Sequence, residues 1–375
     1  MTDARTRATL SYINSLRLPK ISLTENPIVS IGQHHFASTS PLLPGQQALP
    51  EQHIPRNRAW LLRFIEHPPR TIAGTLFRLT RADAALAFIM PTLCGAILGW
   101  WHSGHFNGLT FVFTLASVLA SLLGVNALAE YYDYKTARRA DALAKNEPLF
   151  SGFGLMAQGY VRPEIALNLG HILLAIGAIC GLWLILLAGW PILFFAGLSL
   201  LLAYTYAIPP VQYGYRGWAL GEVGVFCSYG LLQLLGSYFV QAQTLTWLPL
   251  WVGLPFGLLA TLTVFNYNII YERRDWLMRK RTLAVSLGPL RAVDASVALT
   301  LGAYVAVLLI ASLAHLPLGL LVVLVALPRA MSEFAQMQRD PLAVEDGVAL
   351  YRATTHATLL SGLFFCLALL LDKLW

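Results

Sequence analysis

The sequence predicts an all-α fold: a polytopic membrane protein with nine transmembrane helices around a central cavity open to the cytoplasm. Three observations carry this. Hydrophobic residues make up 57% of the chain and charged residues only 12%, against about 25% charged in soluble domains; the mean hydropathy is +0.60. Apolar runs recur along the chain, most of them near the roughly 17–25 residues that a spanning helix needs. Lys and Arg fall almost wholly in alternate connections between those runs.

In order, residues 1–75 are polar, irregular and rich in Pro, Gln, His and Ser, as in Ser40-Pro-Leu-Leu-Pro-Gly-Gln-Gln. They read as a largely flexible cytoplasmic extension. No basic segment leads into an apolar core, so this is not a signal peptide. Trp60-Leu-Leu-Arg-Phe-Ile-Glu66 is a short amphipathic piece suited to a membrane surface. Residues 76–375 form the membrane domain. Its apolar runs fall at 83–101, 109–129, 165–187, 191–207, 218–240, 247–270, 292–313, 316–331 and 354–372. The eighth is short.

Sidedness follows from the cations. With the N-terminus inside, the outer connections 102–108, 189–190, 241–246 and 314–316 hold no Lys or Arg. The inner connections hold Lys135, Arg138, Arg139, Lys145 and Arg162, then Arg216, then six from Arg273 to Arg291, then Arg329 and Arg339; only Lys373 falls outside. This is the positive-inside pattern of a cytoplasmic membrane protein. The formal charge of +7 therefore reflects loops facing anionic lipid, and no nucleic-acid partner is expected. Cys94, Cys180, Cys227 and Cys366 each lie in apolar runs with no Cys-x-x-Cys pair, so neither a disulfide nor a zinc site is expected.

Two polar stretches interrupt this pattern, both at inner ends of spanning segments. The first is Asn126-Ala-Leu-Ala-Glu130-Tyr-Tyr-Asp133-Tyr-Lys135, which follows twenty uncharged residues. The second is Asn266-Tyr-Asn268-Ile-Ile-Tyr271-Glu272-Arg-Arg-Asp275, leading into Arg279-Lys280-Arg281. In each, two acids stand three apart and share a helix face. Paired carboxylates repel unless a cation joins them. Mg²⁺ takes one or two carboxylates and leaves its other positions to water and phosphate oxygens. Two acidic helix ends trailed by cations thus suit a diphosphate, with the stretches facing each other across the cavity mouth. The plain alternatives are solvated interfacial acids and cations that serve topology alone.

These residues resemble the UbiA superfamily of intramembrane prenyltransferases, and within it the branch that prenylates 1,4-dihydroxy-2-naphthoate in menaquinone synthesis. Glu130-Tyr-Tyr-Asp133-Tyr-Lys-Thr is similar to the family's first motif, Asn-Asp-x-x-Asp. Ser151-Gly-Phe-Gly-Leu-Met-Ala-Gln-Gly159, Tyr204-Thr-Tyr206-Ala-Ile-Pro-Pro210 with Tyr215-Arg216-Gly217, and Lys280-Arg-Thr-Leu-Ala-Val-Ser-Leu-Gly288 carry the likeness onward. Ala129 stands where the family has Asn, Glu130 where it has Asp, and Tyr271 where the second motif opens with Asp. Only Asp133 and Asp275 match the acidic pattern outright.

The resemblance implies an enzyme that moves a polyprenyl group from its diphosphate to an aromatic quinone precursor. Glu130, Asp133, Glu272 and Asp275 would hold Mg²⁺, with Asp133, Asp275 and Lys280 catalytic. Asn126, Lys135, Tyr204, Tyr206, Arg216, Asn268 and Arg281 would bind substrate. The prenyl tail would lie between helices, open to lipid. The altered motifs also suit a non-catalytic member that binds a quinone, pigment or prenyl lipid within a larger membrane complex. A secondary transporter fits less well, because the ionisable residues gather at one interface rather than the bilayer centre.

Overall fold

A computed structural model describes residues 65–141, 143, 148–313, 316–335, 337 and 344–374. The chain divides into two units, Met1–His53 and Ile54–Trp375, and every described residue lies in the second. The polar extension and most of the Trp60–Glu66 piece lie outside the described residues. The packed unit begins before residue 75: Ile65 is buried, and its carbonyl accepts from the Leu149 amide at 2.7 Å.

The described residues are helical throughout, apart from turns and one isolated bridge between Arg216 and Arg281. We number the helices α1 (Ile72–Leu79), α2 (Ala82–Ser103), α3 (Gly108–Arg139), α4 (Gly152–Ala157), α5 (Pro163–Ala188) and α6 (Pro191–Ala207). After a turn come α7 (Leu220–Ala242), α8 (Leu248–Ile270), α9 (Glu272–Leu277), α10 (Leu283–Leu287), α11 (Pro289–Leu313), α12 (Leu318–Met331) and α13 (Val344–Leu374). Seven of these, α2, α3, α5, α7, α8, α11 and α13, are long and apolar enough to cross a membrane. The other two expected spans, α6 and α12, are shorter. The 17 residues of α6 extend about 25 Å, under the roughly 30 Å hydrocarbon thickness. In α12 the nine residues Leu318–Ala326 wind as 3₁₀-helix, whose greater rise of about 2 Å per residue partly offsets the segment's shortness.

Local chemistry sets the ends. Asn107 caps α3, its Oδ1 accepting from the Leu109 and Thr110 amides at 3.1 Å each. Ser151 caps α4 and Thr282 caps α10. Trp190 and Trp247 are 77% and 76% exposed at one end of the bundle, and Trp218 and Trp276 are 93% and 65% exposed at the other. Apolar helices between two levels of exposed Trp describe an integral membrane protein.

Helix pairs approach through small residues. Gly95 and Gly99 of α2 form a G-x-x-x-G spacing against α7. A Cβ at Gly95 would sit 2.4 Å from the Leu234 carbonyl oxygen, and one at Gly99 2.8 Å from that of Tyr238. α2, α8, α11, α12 and α13 share the largest apolar core, around Leu98, Leu259, Leu262 and Leu369. The bundle also holds a largely apolar cavity. It measures about 300 Å³ and is bounded by α3, α5, α6 and α7 alone.

Gly95→Val is expected to force α2 from α7 and to lower stability by about 1–3 kcal/mol, read as thermal unfolding in detergent. Gly302→Ala, where an added Cβ meets nothing within 4 Å, is expected to leave it unchanged or slightly raised.

Candidate active site

The two polar stretches meet. On α3, Glu130 and Asp133 point inward and are 0% and 3% exposed. The second stretch breaks at Tyr271, where α8 ends and α9 turns away. On α9, Asp275 is 0% exposed, while Glu272 is only half-buried. Arg279 then adopts a left-handed backbone, φ 58°, and reverses the chain. The Lys280 amide donates to the Asp275 carbonyl at 2.8 Å, and the Lys280 side chain turns into the bundle, 4% exposed. Its Nζ lies 3.4 Å from both oxygens of Asp133 and 3.4 Å from Asp275 Oδ2. One ammonium thus joins carboxylates 142 positions apart in the chain.

Around this centre stand residues whose role sequence reasoning missed. Arg81, at the start of α2, has a left-handed backbone, φ 50°, and its guanidinium pairs with Glu130. It also lies 3.9 Å from Asp133 Oδ2 and 4.0 Å from the centre of the Tyr267 ring. Glu130 further accepts from the Tyr267 hydroxyl at 2.8 Å and from the Phe153 amide of α4, where a helix N-terminus favours an anion. Tyr215 donates its hydroxyl to Asp133. Arg274 pairs with Asp275 at 3.3 Å, and its guanidinium carbon lies 3.7 and 3.9 Å from the ring centres of Tyr271 and Phe153. Arg81 stands just before the first apolar run, and Arg274 reads in sequence as one more positive-inside residue. The unusual backbone of Arg81, a signal of a constrained site, is visible only in three dimensions.

Burial pushes the Asp275 carboxyl above the usual carboxylate range, with Lys280 and Arg274 pulling the other way. Burial and then the Asp133 carboxylate hold the Tyr215 hydroxyl well above its ordinary value, so it stays a donor.

The other sequence candidates lie further out. Asn126 donates to the Thr80 carbonyl at 3.0 Å, tying α3 to the α1–α2 turn. Asn268 donates to the Tyr206 hydroxyl at 3.4 Å. Tyr204 sits beside Tyr132. Lys135 leans over the rings of Tyr131 and Tyr132 at 5.6 and 6.0 Å. Arg216 donates to the Val211 carbonyl at 2.8 Å and holds a turn. The Arg281 side chain is exposed, while its amide donates to the Tyr215 carbonyl at 2.9 Å.

The profile of the UbiA prenyltransferase family matches residues 88–351, most of the chain. The chain belongs to the UbiA prenyltransferase family. It is 29% identical over 334 residues to the 1,4-dihydroxy-2-naphthoate octaprenyltransferase of Escherichia coli K12, covering 86% of this chain and 98% of that protein. It is 24% identical over 262 residues to the 2-carboxy-1,4-naphthoquinone phytyltransferase of Synechocystis, covering 68% and 72%. The solved apo structure of a UbiA homolog from Aeropyrum pernix K1 superposes with TM-score 0.51 at 17% identity, covering 81% of this chain and 99% of that one. A UbiA homolog from Archaeoglobus fulgidus bound to GPP and Mg²⁺ superposes equally well, 0.51 at 14% identity, covering 76% and 99%. These structures establish a common membrane fold.

Against that fold, the four carboxylates expected to hold Mg²⁺ do not assemble. Among the described residues no group of three or more His, Cys, Asp or Glu side chains is placed to share a metal ion. Glu130 is turned to Arg81, Tyr267 and the α4 amide, and Glu272 is half-buried at the margin. The Tyr271 ring centre lies 3.7 Å from the Arg274 guanidinium carbon. Asp133 and Asp275 do converge, but on an ammonium.

Removing Arg81 strands a buried carboxylate. Arg81→Ala is expected to cost about 3 kcal/mol, the low end for a broken buried pair because two donors to Glu130 remain. The double variant Arg81→Met/Glu130→Gln should recover most of that loss in detergent unfolding measurements.

Proposed function

We propose that this protein transfers a polyprenyl group from its diphosphate to an aromatic quinone precursor of the 1,4-dihydroxy-2-naphthoate class. The observation that carries this is the meeting of Asp133, Asp275 and Lys280 at helix ends beside an apolar cavity, in a chain of this family. The named activity of the E. coli relative, which the chain matches along 98% of its length, supports the acceptor class. The Lys and Arg asymmetry supports a cytoplasmic face for the polar end and for the N-terminus.

In this reading the diphosphate sits against Lys280 and Arg274 and the tail runs into the bundle. The cavity starts at Val125, five residues before Glu130 on α3, about 7.5 Å along the helix. Tyr229 lines it and, like Tyr206, packs against the buried cluster that contains Tyr267 and Tyr271. The allylic C1–O bond breaks, and its electron pair leaves with the diphosphate. Lys280 and Arg274 oppose the charge that develops on the leaving oxygens. The carbocation is flanked by tyrosine faces, which attract cations. An acceptor ring carbon supplies the electron pair of the new C–C bond and then loses its carboxylate as CO₂, or its hydrogen as a proton to water, the bonding pair left behind restoring aromaticity.

Purified protein in lipid nanodiscs, given a labelled prenyl diphosphate and 1,4-dihydroxy-2-naphthoate with and without Mg²⁺, should release diphosphate and form a lipophilic product. Lys280→Gln and Asp275→Asn should each lower turnover by about a hundredfold or more. No turnover by the unaltered protein with any aromatic acceptor, together with tight quinone binding, would establish a binding protein instead. Gly197 lines the cavity with open space beside it. Gly197→Phe should therefore fold normally yet reduce turnover of long-chain donors more than that of geranyl diphosphate, as product analysis across donor lengths would show.

A further inference from the structure

The polar cluster carries its own counter-cations. Arg81 meets Glu130, Lys280 meets Asp133 and Asp275, and Arg274 meets Asp275. Those ion-paired groups are three cations against three carboxylates. A carboxylate site that gathers divalent metal needs an excess of negative charge and free oxygen ligands. Here each of the three carboxylates already holds a protein cation, although Asp275 Oδ2 has no hydrogen-bond partner.

Arg274 adds a second and independent observation. Its side chain is 7% exposed, yet its Nε and Nη1 have no hydrogen-bond partner. Buried donors left unmatched cost of the order of 1–3 kcal/mol each, so such groups ask for an acceptor. The guanidinium carbon lies 3.9 and 3.7 Å from the ring centres of Phe153 and Tyr271, whose planes are tilted 53° to each other. The Tyr271 ring is itself held, with its hydroxyl on Ser151 at 2.8 Å. A guanidinium presents its donors as a planar fork, the geometry that binds phosphate oxygens in pairs. Lys280 lies on the same carboxylate, Asp275, and supplies a compact charge beside the fork.

We infer that this chain holds the substrate diphosphate with fixed protein cations, Arg274 and Lys280 foremost, and that binding requires no Mg²⁺. The inference rests on the prenyl-diphosphate reading above. The diphosphate takes the open donors of Arg274 and shares Lys280 with the two aspartates.

The test is equilibrium binding of geranyl diphosphate to the full chain in nanodiscs, once in excess EDTA and once in Mg²⁺. Comparable affinity in both arms is expected. Arg274→Gln should weaken the EDTA-arm affinity by about tenfold or more, the loss of a charged hydrogen-bonding partner. Arg274→Lys, which keeps the charge but not the fork, should fall between the two. Binding seen only with Mg²⁺ overturns the inference and leaves the prenyl-diphosphate reading intact; this arm needs no variant and so does not depend on whether Arg274→Gln folds. Unchanged EDTA-arm binding by a well-folded Arg274→Gln overturns the role of the fork. Absence of binding in both arms overturns both readings together.

Discussion

The ammonium of Lys280, buried between Asp133 and Asp275, is the interaction on which the polar end of the structure depends. A buried charge is tolerated only when it is paired and hydrogen-bonded. Lys280 can be buried because α3 brings Asp133 and the α9 turn brings Asp275 to the same 3.4 Å. In return, Lys280 settles how α9 and the following turn fold back onto α3. The left-handed Arg279 and the amide of Lys280 on the Asp275 carbonyl are the local form of that requirement.

Such clusters rarely add stability. Replacing a buried ion network by apolar side chains of similar volume is often neutral or stabilising, because desolvation offsets the Coulombic gain. The rest of the bundle shows what cheaper cohesion looks like: α2 against α7 through Gly95 and Gly99, and an apolar core around Leu98, Leu259 and Leu369. Three cations and three carboxylates at one end of the bundle, with two guanidinium donors still unmatched, are therefore better explained by handling an anion than by holding helices together.

The surrounding aromatics follow from the same constraint. Tyr267 donates to Glu130 and lies under Arg81; Tyr215 donates to Asp133 and lies 4.6 Å from the Lys280 ammonium; Tyr271 and Phe153 enclose Arg274. Each ring removes water from an ion pair while offering either a hydroxyl or a π-face. The same rings lead on, through Tyr206 and Tyr229, to the apolar cavity, so one wall serves both a charged group and a hydrocarbon tail.

By itself the sequence determined the membrane class, the order and most boundaries of the apolar helices, the two polar stretches and the likeness to the UbiA prenyltransferase family. These are legible because hydrophobic runs, cation placement and the acids of Glu130, Asp133, Glu272 and Asp275 are local properties of the chain. It could not show that Leu318–Ala326 of α12 wind as 3₁₀-helix, since such winding depends on what each turn packs against. Nor could it sort the charges. The spacing places Glu130 beside Asp133 and Glu272 beside Asp275, but only the tertiary structure decided that Glu130 pairs with Arg81, that Glu272 stays at the margin, and that Arg274 turns inward while Arg216 and Arg281 do not. Which cation meets which carboxylate is fixed by helix ends far apart in the chain, and no local pattern encodes that distance.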